Sequence, residues 1–267
     1  NNITINNGIP NFTNVATTDE GVYKVEDGMY GEYSYYWRGA VTNNYVEFAN
    51  KCWRIIRING DGSIRLIYDG TTCHANGTNT ADSIAVQNVA YNTSSNQSYY
   101  VGWTYNSSQR PSTTNPQTGG TPSNAKTQLE SWYNNNIGNN TEYSTKIVDG
   151  KFCNDRNTTS GYSWSSQPSS TLYYAARERL QTNKKPTLSC PLGDVYTLKV
   201  GLIAADEVAY AGGTHGTTNS SYYLCNGQYY WMMSPFGSSS VGSSYQIGVF
   251  LVGYIGQLTS GLVTGTF

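Results

Sequence analysis

Between residues 35 and 68 the chain alternates short extended runs with turn signals. Tyr35-Tyr36-Trp37-Arg38-Gly39-Ala40-Val41, Tyr45-Val46-Glu47-Phe48, Cys52-Trp53-Arg54-Ile55-Ile56-Arg57-Ile58 and Ser63-Ile64-Arg65-Leu66-Ile67-Tyr68 are rich in the β-branched and aromatic residues that suit a pleated sheet. Between the last two lies Asn59-Gly60-Asp61-Gly62, whose residue types tolerate the positive φ of a tight hairpin. The pattern predicts an antiparallel meander. Ile64 and Leu66 fall on the opposite face from Arg65, which predicts a sheet with one covered face.

Beyond this block the chain changes character. From residue 70 to about 123 it is rich in Asn, Ser, Thr and Gly and reads as long loops with short strands. A first helix is expected to start at 123 or 124 and run to 136, with Ala125, Leu129, Trp132 and Tyr133 at helical spacing and Ser123 as cap. A second is expected over 170–181, with Leu172, Ala175, Ala176 and Leu180 inward and Pro186 beyond its end. A third covers 205–211 and stops at Gly212-Gly213, a C-cap signal. Residues 222–267 return to strand and turn patterns. No linker, charge run or repeat divides the chain, so residues 1–267 read as one domain of α+β class with residues 1–20 as a lead-in.

Composition narrows the surroundings. Only 12% of the residues are charged, about half the roughly 25% of an ordinary soluble domain. Hydrophobic residues make up 37% and aromatic residues 13%, with 24 Tyr against 6 Phe and 6 Trp, which excludes a disordered chain. A net charge of −1 lacks the basic surface that nucleic acid requires. No apolar run reaches the ~18 residues of a membrane span, and the sequence opens without a signal-like segment. Tyr, Asn, Ser, Thr and Gly in place of Lys and Glu suit an exported protein that binds rather than catalyses. The expectation is an ectodomain whose export signal or anchor lies outside this chain.

Five cysteines stand at Cys52, Cys73, Cys153, Cys190 and Cys225, with no C-x-x-C pair, and His74 and His215 are far apart, so zinc-finger spacing is absent. In an exported chain disulfides are expected; five buried thiols of a cytosolic protein are the alternative. Cys52 opens one strand of the Asn59 hairpin and Cys73 follows the end of the other, so antiparallel geometry pairs them. Cys153 and Cys190 bracket the second helix, and a bridge there would close that excursion. Cys225 is left as a small buried hydrophobe or as a thiol for an intermolecular bond.

Catalytic patterns are sparse. Neither a calcium loop nor a G-x-S-x-G elbow is complete. Asp155-Arg156 and Asp206-Glu207 could do acid–base work on a glycan. An ion pair and a helix first turn explain them more simply. No catalytic residue, metal or cofactor is expected. Sequons at Asn2, Asn11, Asn76, Asn92, Asn96, Asn106, Asn139, Asn157 and Asn219 arise from composition. The positive signal is aromatic: Tyr99-Tyr100, Trp103, Tyr105, Tyr222-Tyr223, Tyr229-Tyr230 and Trp231 sit in loop-like or strand-end sequence, and binding surfaces favour Tyr with Ser, Gly and Asn. Packing of a β-rich core is the competing use.

The run from Cys52 to Gly70 resembles a block of large surface proteins of gut Firmicutes. So do Tyr36-Trp37-Arg38-Gly39-Ala40-Val41, Phe152-Cys153-Asn154-Asp155-Arg156, Gly201-Leu202-Ile203-Ala204-Ala205-Asp206-Glu207-Val208-Ala209 and Tyr230-Trp231-Met232-Met233-Ser234-Pro235. That family is similar to C-type-lectin-like domains of the formylglycine-generating-enzyme type, the scaffold of the variable proteins of diversity-generating retroelements. The resemblance implies a C-type-lectin-like fold of antiparallel sheets with two to three short helices and long Asn/Ser-rich loops. It implies an adhesin or receptor-recognition domain on a bacterial surface, pilus-like fibre or phage tail, binding a protein or glycan. It does not imply formylglycine synthesis, since no reactive Cys pair stands near this C-terminus. A structural subunit self-assembled into an extracellular filament is the alternative, and a carbohydrate-active enzyme ranks third. The family usually has Thr where this chain has Ala204, so an N-cap is missing. Its pattern also runs on past a position like Phe267 into a closing strand, Gly-Val-Arg-Pro-Val, which further sequence or a partner would have to supply.

The variable segment of the scaffold falls at residues 229–267. Ile247, Val249, Leu251 and Ile255 are expected inward, with Gly248, Phe250 and Val252 on the opposite face. Tyr230, Phe236, Tyr245, Phe250, Tyr254 and Gln257 are the candidate ligand contacts; sealing of a core left open at the chain's end is the alternative role for them.

Overall fold

The computed structural model describes residues 3–78, 81–105, 120–162, 171–190, 194–241 and 244–267, a mixed α+β arrangement dominated by strands. The first sheet contains β1 (Ile5–Asn6), β2 (Asp19–Asp27), β3 (Glu32–Gly39), β4 (Tyr45–Phe48), β5 (Lys51–Ile58) and β6 (Ile64–Gly70). Its order is β1-β2-β3-β5-β4 with β6 paired to β5, antiparallel except for β1 on β2. The Asn59 turn closes as expected: Asn59 N donates to Ser63 O at 2.8 Å, Gly62 N to Asn59 O at 2.9 Å, and Gly62 takes φ 83°. The lead-in expected over residues 1–20 ends at β2, a strand with no counterpart in the sequence reading. Its buried Val22, Val25 and Asp27 are hidden among Asp19, Glu20, Lys24 and Glu26.

The face assignment of β6 is corrected. Arg65 is buried, whereas Ile64 is 54% exposed and Leu66 is only half-buried. A bulge on β5 sets this polarity. Ile55 pairs with Leu66 and Arg57 with Arg65, so Ile56 is an extra residue, and both Ile56 and Arg57 are buried. The inward arginines find acids: Arg57 Nη1 lies 2.8 Å from Asp27 Oδ2, and Arg65 Nη1 lies 3.2 Å from Glu207 Oε1. On the same sheet Arg54 bonds Asp69 and Asn44, and Arg38 bonds Glu20 and the carbonyls of Ala209 and Tyr210.

Short elements follow: a 3-10 turn at Ala81–Ser83, β7 (Thr104–Tyr105) against β8 (Thr121–Pro122), α1 (Asn124–Tyr133) and α2 (Thr141–Ser144). Ser123 caps α1 as expected, its side chain accepting from Lys126 N at 3.0 Å, and α1 runs on as a π-type turn over Asn134–Gly138. Strand β9 (Gly150–Cys153) pairs with β11 (Val195–Leu198). The second helix differs from expectation. Residue 170 lies outside the described residues, and Leu172–Tyr173 form strand β10. Only Ala175–Arg177 are α-helical (α3), passing into a π-type turn at Glu178–Asn183. Leu172 and Tyr173 are taken by the second sheet before the helix can start. Helix α4 (Ala205–Ala211) matches its expected bounds and ends at Gly212, whose φ of 119° favours glycine. Both expected disulfides are present, Cys52–Cys73 and Cys153–Cys190, with Cα separations of 5.1 and 5.4 Å.

The second sheet is β10-β12-β13-β14, with β12 (Tyr230–Val241), β13 (Ser244–Val252) and β14 (Leu258–Leu262). Alternation along β13 is as expected, but both faces are buried. Phe250 and Val252 join Met232 in the core shared with α4 and the first sheet, while Ile247, Val249 and Leu251 pack with Trp231, Tyr91, Val101 and Ala125. The Asn/Ser-rich insertion thus supplies the cover for the second face.

Between Trp231 and Pro235 the β12–β13 register slips. Met233 N turns to Ile203 O at 2.9 Å, and Ser234 Oγ accepts from Ala205 N at 2.9 Å. Pro235, which has no N–H to give, fits such an interruption. The cap missing from Ala204 is therefore supplied from another element: Ser234 takes one orphan donor of α4, and Glu207 Oε2 takes Ala204 N–H at 3.0 Å. Replacing Ser234 by Ala should cost about 1–2 kcal/mol, because the buried Ala205 N–H loses its acceptor. Urea denaturation checks this, and an unchanged midpoint contradicts the capping role.

Candidate functional site

The six expected contacts do not form one exposed surface. Phe250 is fully buried, Tyr230, Phe236 and Gln257 are partly buried, and Tyr254 is 51% exposed. The backbone of Tyr245 pairs with Ser240, and its side chain lies outside what is described. Phe250 is corrected from contact to core residue because the face opposite Ile247 and Val249 looks onto α4, not solvent. Its ring meets Phe236 edge-on at 5.0 Å, and Phe236 stacks on His215 at 5.6 Å. Tyr230 donates its hydroxyl to Leu224 O at 2.7 Å, and burial pushes its pKa well above the usual value. Gln257 lies over Gly253.

Tyr254 has different company. Tyr229, just ahead of β12, and Phe267 are 37% and 40% exposed, and Leu262 at the end of β14 is 39% exposed. The Tyr229 ring centroid lies 5.4 Å from both Tyr254 and Phe267, and Phe267 meets the buried Trp231 edge-on at 5.1 Å. Three rings therefore form one continuous face rooted on Trp231, whose indole N–H is held by Val89 O at 2.8 Å.

Turn geometry fixes this face. Gly253 N donates to Gln257 O and Gly256 N to Gly253 O, so Tyr254 projects from a closed turn between β13 and β14. Gly256 has φ 78°, and a Cβ there would stand 2.0 Å from Asn219 O; only glycine allows this approach. Asn219 N in turn donates to Ile255 O, and the Asn219 amide donates to Ala16 O. Phe267 lies against Gly261 and Gly265, where larger residues would displace its ring. Tyr229 opens the segment singled out from sequence but is absent from the expected contact set, as is Phe267. Their clustering depends on a long-range return of the chain that periodicity does not register.

The other aromatic candidates divide. Trp103, Tyr222, Tyr223 and Trp231 are buried, whereas Tyr99, Tyr100 and Tyr105 form a half-exposed group with centroid distances of 4.6–6.2 Å. Both acidic places are engaged in ion pairs. Arg179 Nη2 lies 2.5 Å from Asp155 and 2.7 Å from Asp206, and Arg156 lies 3.5 Å from Asp194. Burial raises the Asp155 pKa against the pull of Arg179. Among the described residues no three His, Cys, Asp or Glu side chains converge to hold a metal. Three sequon asparagines, Asn76, Asn92 and Asn219, use their side-chain amides to bond backbone carbonyls inside the fold. No family model, curated protein or solved structure matches the chain.

Beneath Tyr254, Cys225 is buried and its sulfur lies 3.7 Å from Tyr254 O. Burial pushes the thiol up from its ordinary pKa, which disfavours the reactive thiolate. Of the two roles open to it from sequence, the structure supports the small buried hydrophobe. In the native protein at pH 8, Cys225 should resist iodoacetamide and become alkylated in denaturant; rapid native alkylation contradicts its burial.

Proposed function

We propose that this chain is an extracellular recognition domain of C-type-lectin-like type, displayed on a bacterial surface, pilus-like fibre or phage tail and binding a protein or glycan through its C-terminal segment. The observation that carries the reading is the Tyr229–Tyr254–Phe267 face. It presents three ring surfaces with Leu262: Tyr254 projects from a hydrogen-bonded turn, and Tyr229 and Phe267 pack on each other, with Phe267 against the buried Trp231. Tyrosine gives wide contact area at small conformational cost, and its hydroxyl adds a polar handle. Such a face suits the C–H surface of a sugar ring or an apolar side chain with polar neighbours. Two disulfides fit an oxidising compartment, and among the described residues no helix is long and apolar enough to cross a membrane.

A filament subunit is the second reading, favoured by the N-terminal segment. Ile3, Ile5 and Ile9 are 52%, 50% and 89% exposed, and β1 sits at the edge of the first sheet. An apolar edge strand is a template for pairing with another chain. Concentration-dependent assembly in sedimentation, abolished by Ile5→Lys, would favour this reading over a monomeric recognition domain.

The test of the recognition reading combines glycan-array and pull-down screening with the double variant Tyr229→Ala/Tyr254→Ala. Loss of central aromatic anchors should weaken any ligand found by about 2 kcal/mol or more, roughly 30-fold. Stability should stay within about 0.5–1 kcal/mol of the parent, since both side chains are exposed. A ligand bound equally by the double variant would place recognition elsewhere on the chain.

A further inference from the structure

In an Asn-Gly pair the backbone nitrogen after the asparagine can reach the side-chain carbonyl carbon, because glycine puts no Cβ in the way of ring closure. The chain carries this pair four times, at Asn7-Gly8, Asn59-Gly60, Asn76-Gly77 and Asn226-Gly227. Local sequence makes the four alike, and the fold separates them.

Three of the pairs are held. Asn59 is only 4% exposed, its amide donates to Ser63 Oγ at 2.9 Å, and Gly60 is crowded by Tyr30 and the Tyr33 carbonyl. Asn76 accepts from Arg54 Nη2 at 2.8 Å and donates to Ser221 O at 2.9 Å, while Gly77 N donates to Cys225 O at 2.6 Å. Asn226 Oδ1 accepts from Gln228 N at 3.1 Å, and Gly227 is buried. In each case ring closure has to break a hydrogen bond of the asparagine side chain.

Asn7 differs in every respect. Strand β1 ends at Asn6, whose amide donates to Glu20 O at 2.8 Å, so the ladder on β2 stops one residue short of Asn7. Asn7 and Gly8 are both exposed, and among the described residues neither the Asn7 side chain nor the Gly8 N–H has a hydrogen-bond partner. A Cβ placed on Gly8 would meet nothing within 4 Å. Solvent base can reach the Gly8 N–H, and nothing restrains the side chain that it would attack.

We infer that Asn7 is a site of spontaneous deamidation and isomerisation, and that the fold protects the other three pairs. The Gly8 nitrogen gives its proton to hydroxide and bonds to Asn7 Cγ; the Cγ–Nδ2 bond breaks, and ammonia leaves with a proton from water. Water then opens the cyclic imide. Cleavage of the bond to Cγ leaves aspartate, and cleavage of the bond to the Asn7 backbone carbonyl carbon leaves isoaspartate, with the chain running through Cγ. Nothing is oxidised or reduced. Either product sets a carboxylate between the exposed Ile5 and Ile9, directly after the edge strand β1.

The experiment incubates the whole chain at mildly alkaline pH, native and in guanidinium chloride, and follows all four pairs by peptide mapping with fragmentation that separates aspartate from isoaspartate. Protected pairs react only through minor open states, so native Asn7 should convert at least about ten-fold faster than the other three. In denaturant the four rates should converge to within a few-fold. Both aspartate and isoaspartate should accumulate at Asn7. Gly8 lies outside the positive-φ region, so Gly8→Ala fits the backbone and should slow conversion several-fold with an unchanged spectrum. An intact Asn7, native conversion of another pair at the same rate, or rates that stay apart in denaturant would overturn the inference. Aspartate without isoaspartate, or a Gly8→Ala variant as fast as the parent, would overturn the cyclic route.

Discussion

Glu207 holds the two halves of the fold together. It is buried, and its carboxylate faces Arg65 Nη1 at 3.2 Å and Arg57 Nε at 3.3 Å while accepting the Ala204 N–H that opens α4. Arg57 passes the connection to Asp27, which also accepts from Ser34 Oγ at 2.6 Å. The backbone carbonyl of Glu207 takes the hydroxyl of Tyr36 at 2.8 Å. One residue of α4 thus ties down β2, β3, β5 and β6. Burying these charges costs several kcal/mol per ion, and the ion pairs offset it only in part, since Arg57 Nε and Nη2 are buried without a hydrogen-bond partner. The network is therefore less a source of stability than a specifier of arrangement: in this docking of α4 one carboxylate faces both arginines.

The same logic explains the low surface charge. Among the described residues eleven arginine and acidic side chains are buried, including Arg38, Arg54, Arg156, Asp155 and Asp194. With so much of a small charged complement spent inside, Tyr, Asn, Ser and Thr are left to carry the outer faces. The second sheet depends on this frame. Ser234 reaches α4 because β12 slips register at its Met-Met-Ser-Pro stretch, and that contact fixes the strand that carries Trp231, against which Phe267 of the aromatic face packs.

Local signals were legible where physics is local. The Asn59 turn, the Ser123 cap, the Gly212 stop and both disulfides follow from residue type and short-range geometry. What was not legible depends on partners distant in sequence. Arg65 reads as a solvent-facing residue until Glu207, 142 residues away, supplies its counter-charge. Phe250 reads as an outer-face aromatic until α4 covers it, and Ile247 and Val249 find their cover in Tyr91 and Val101 of the Asn/Ser-rich insertion and Ala125 of α1. Strand β2 was missed because its acids and lysine mask the inward Val22 and Val25. In the candidate site Tyr254 was recognisable as a turn aromatic, whereas Phe267 acquires its place only by packing on Trp231, Gly261 and Gly265.

The central claim, that Glu207 couples α4 to the first sheet, is tested most directly by the unfolding free energy of the parent and Glu207→Gln across pH. The two arginines and the Ala204 N–H hold the Glu207 carboxyl below its usual pKa, against the opposing effect of burial. Its contribution is therefore present above the unfolded value of roughly 4.3 and is lost as pH falls through the lower folded value. At pH 7 the variant should be about 3–5 kcal/mol less stable, because Arg57 and Arg65 lose a buried counter-charge. The gap should narrow as the parent's own carboxyl is protonated in acid. A Glu207→Gln protein within about 1 kcal/mol of the parent at pH 7, or a gap independent of pH, would contradict the account.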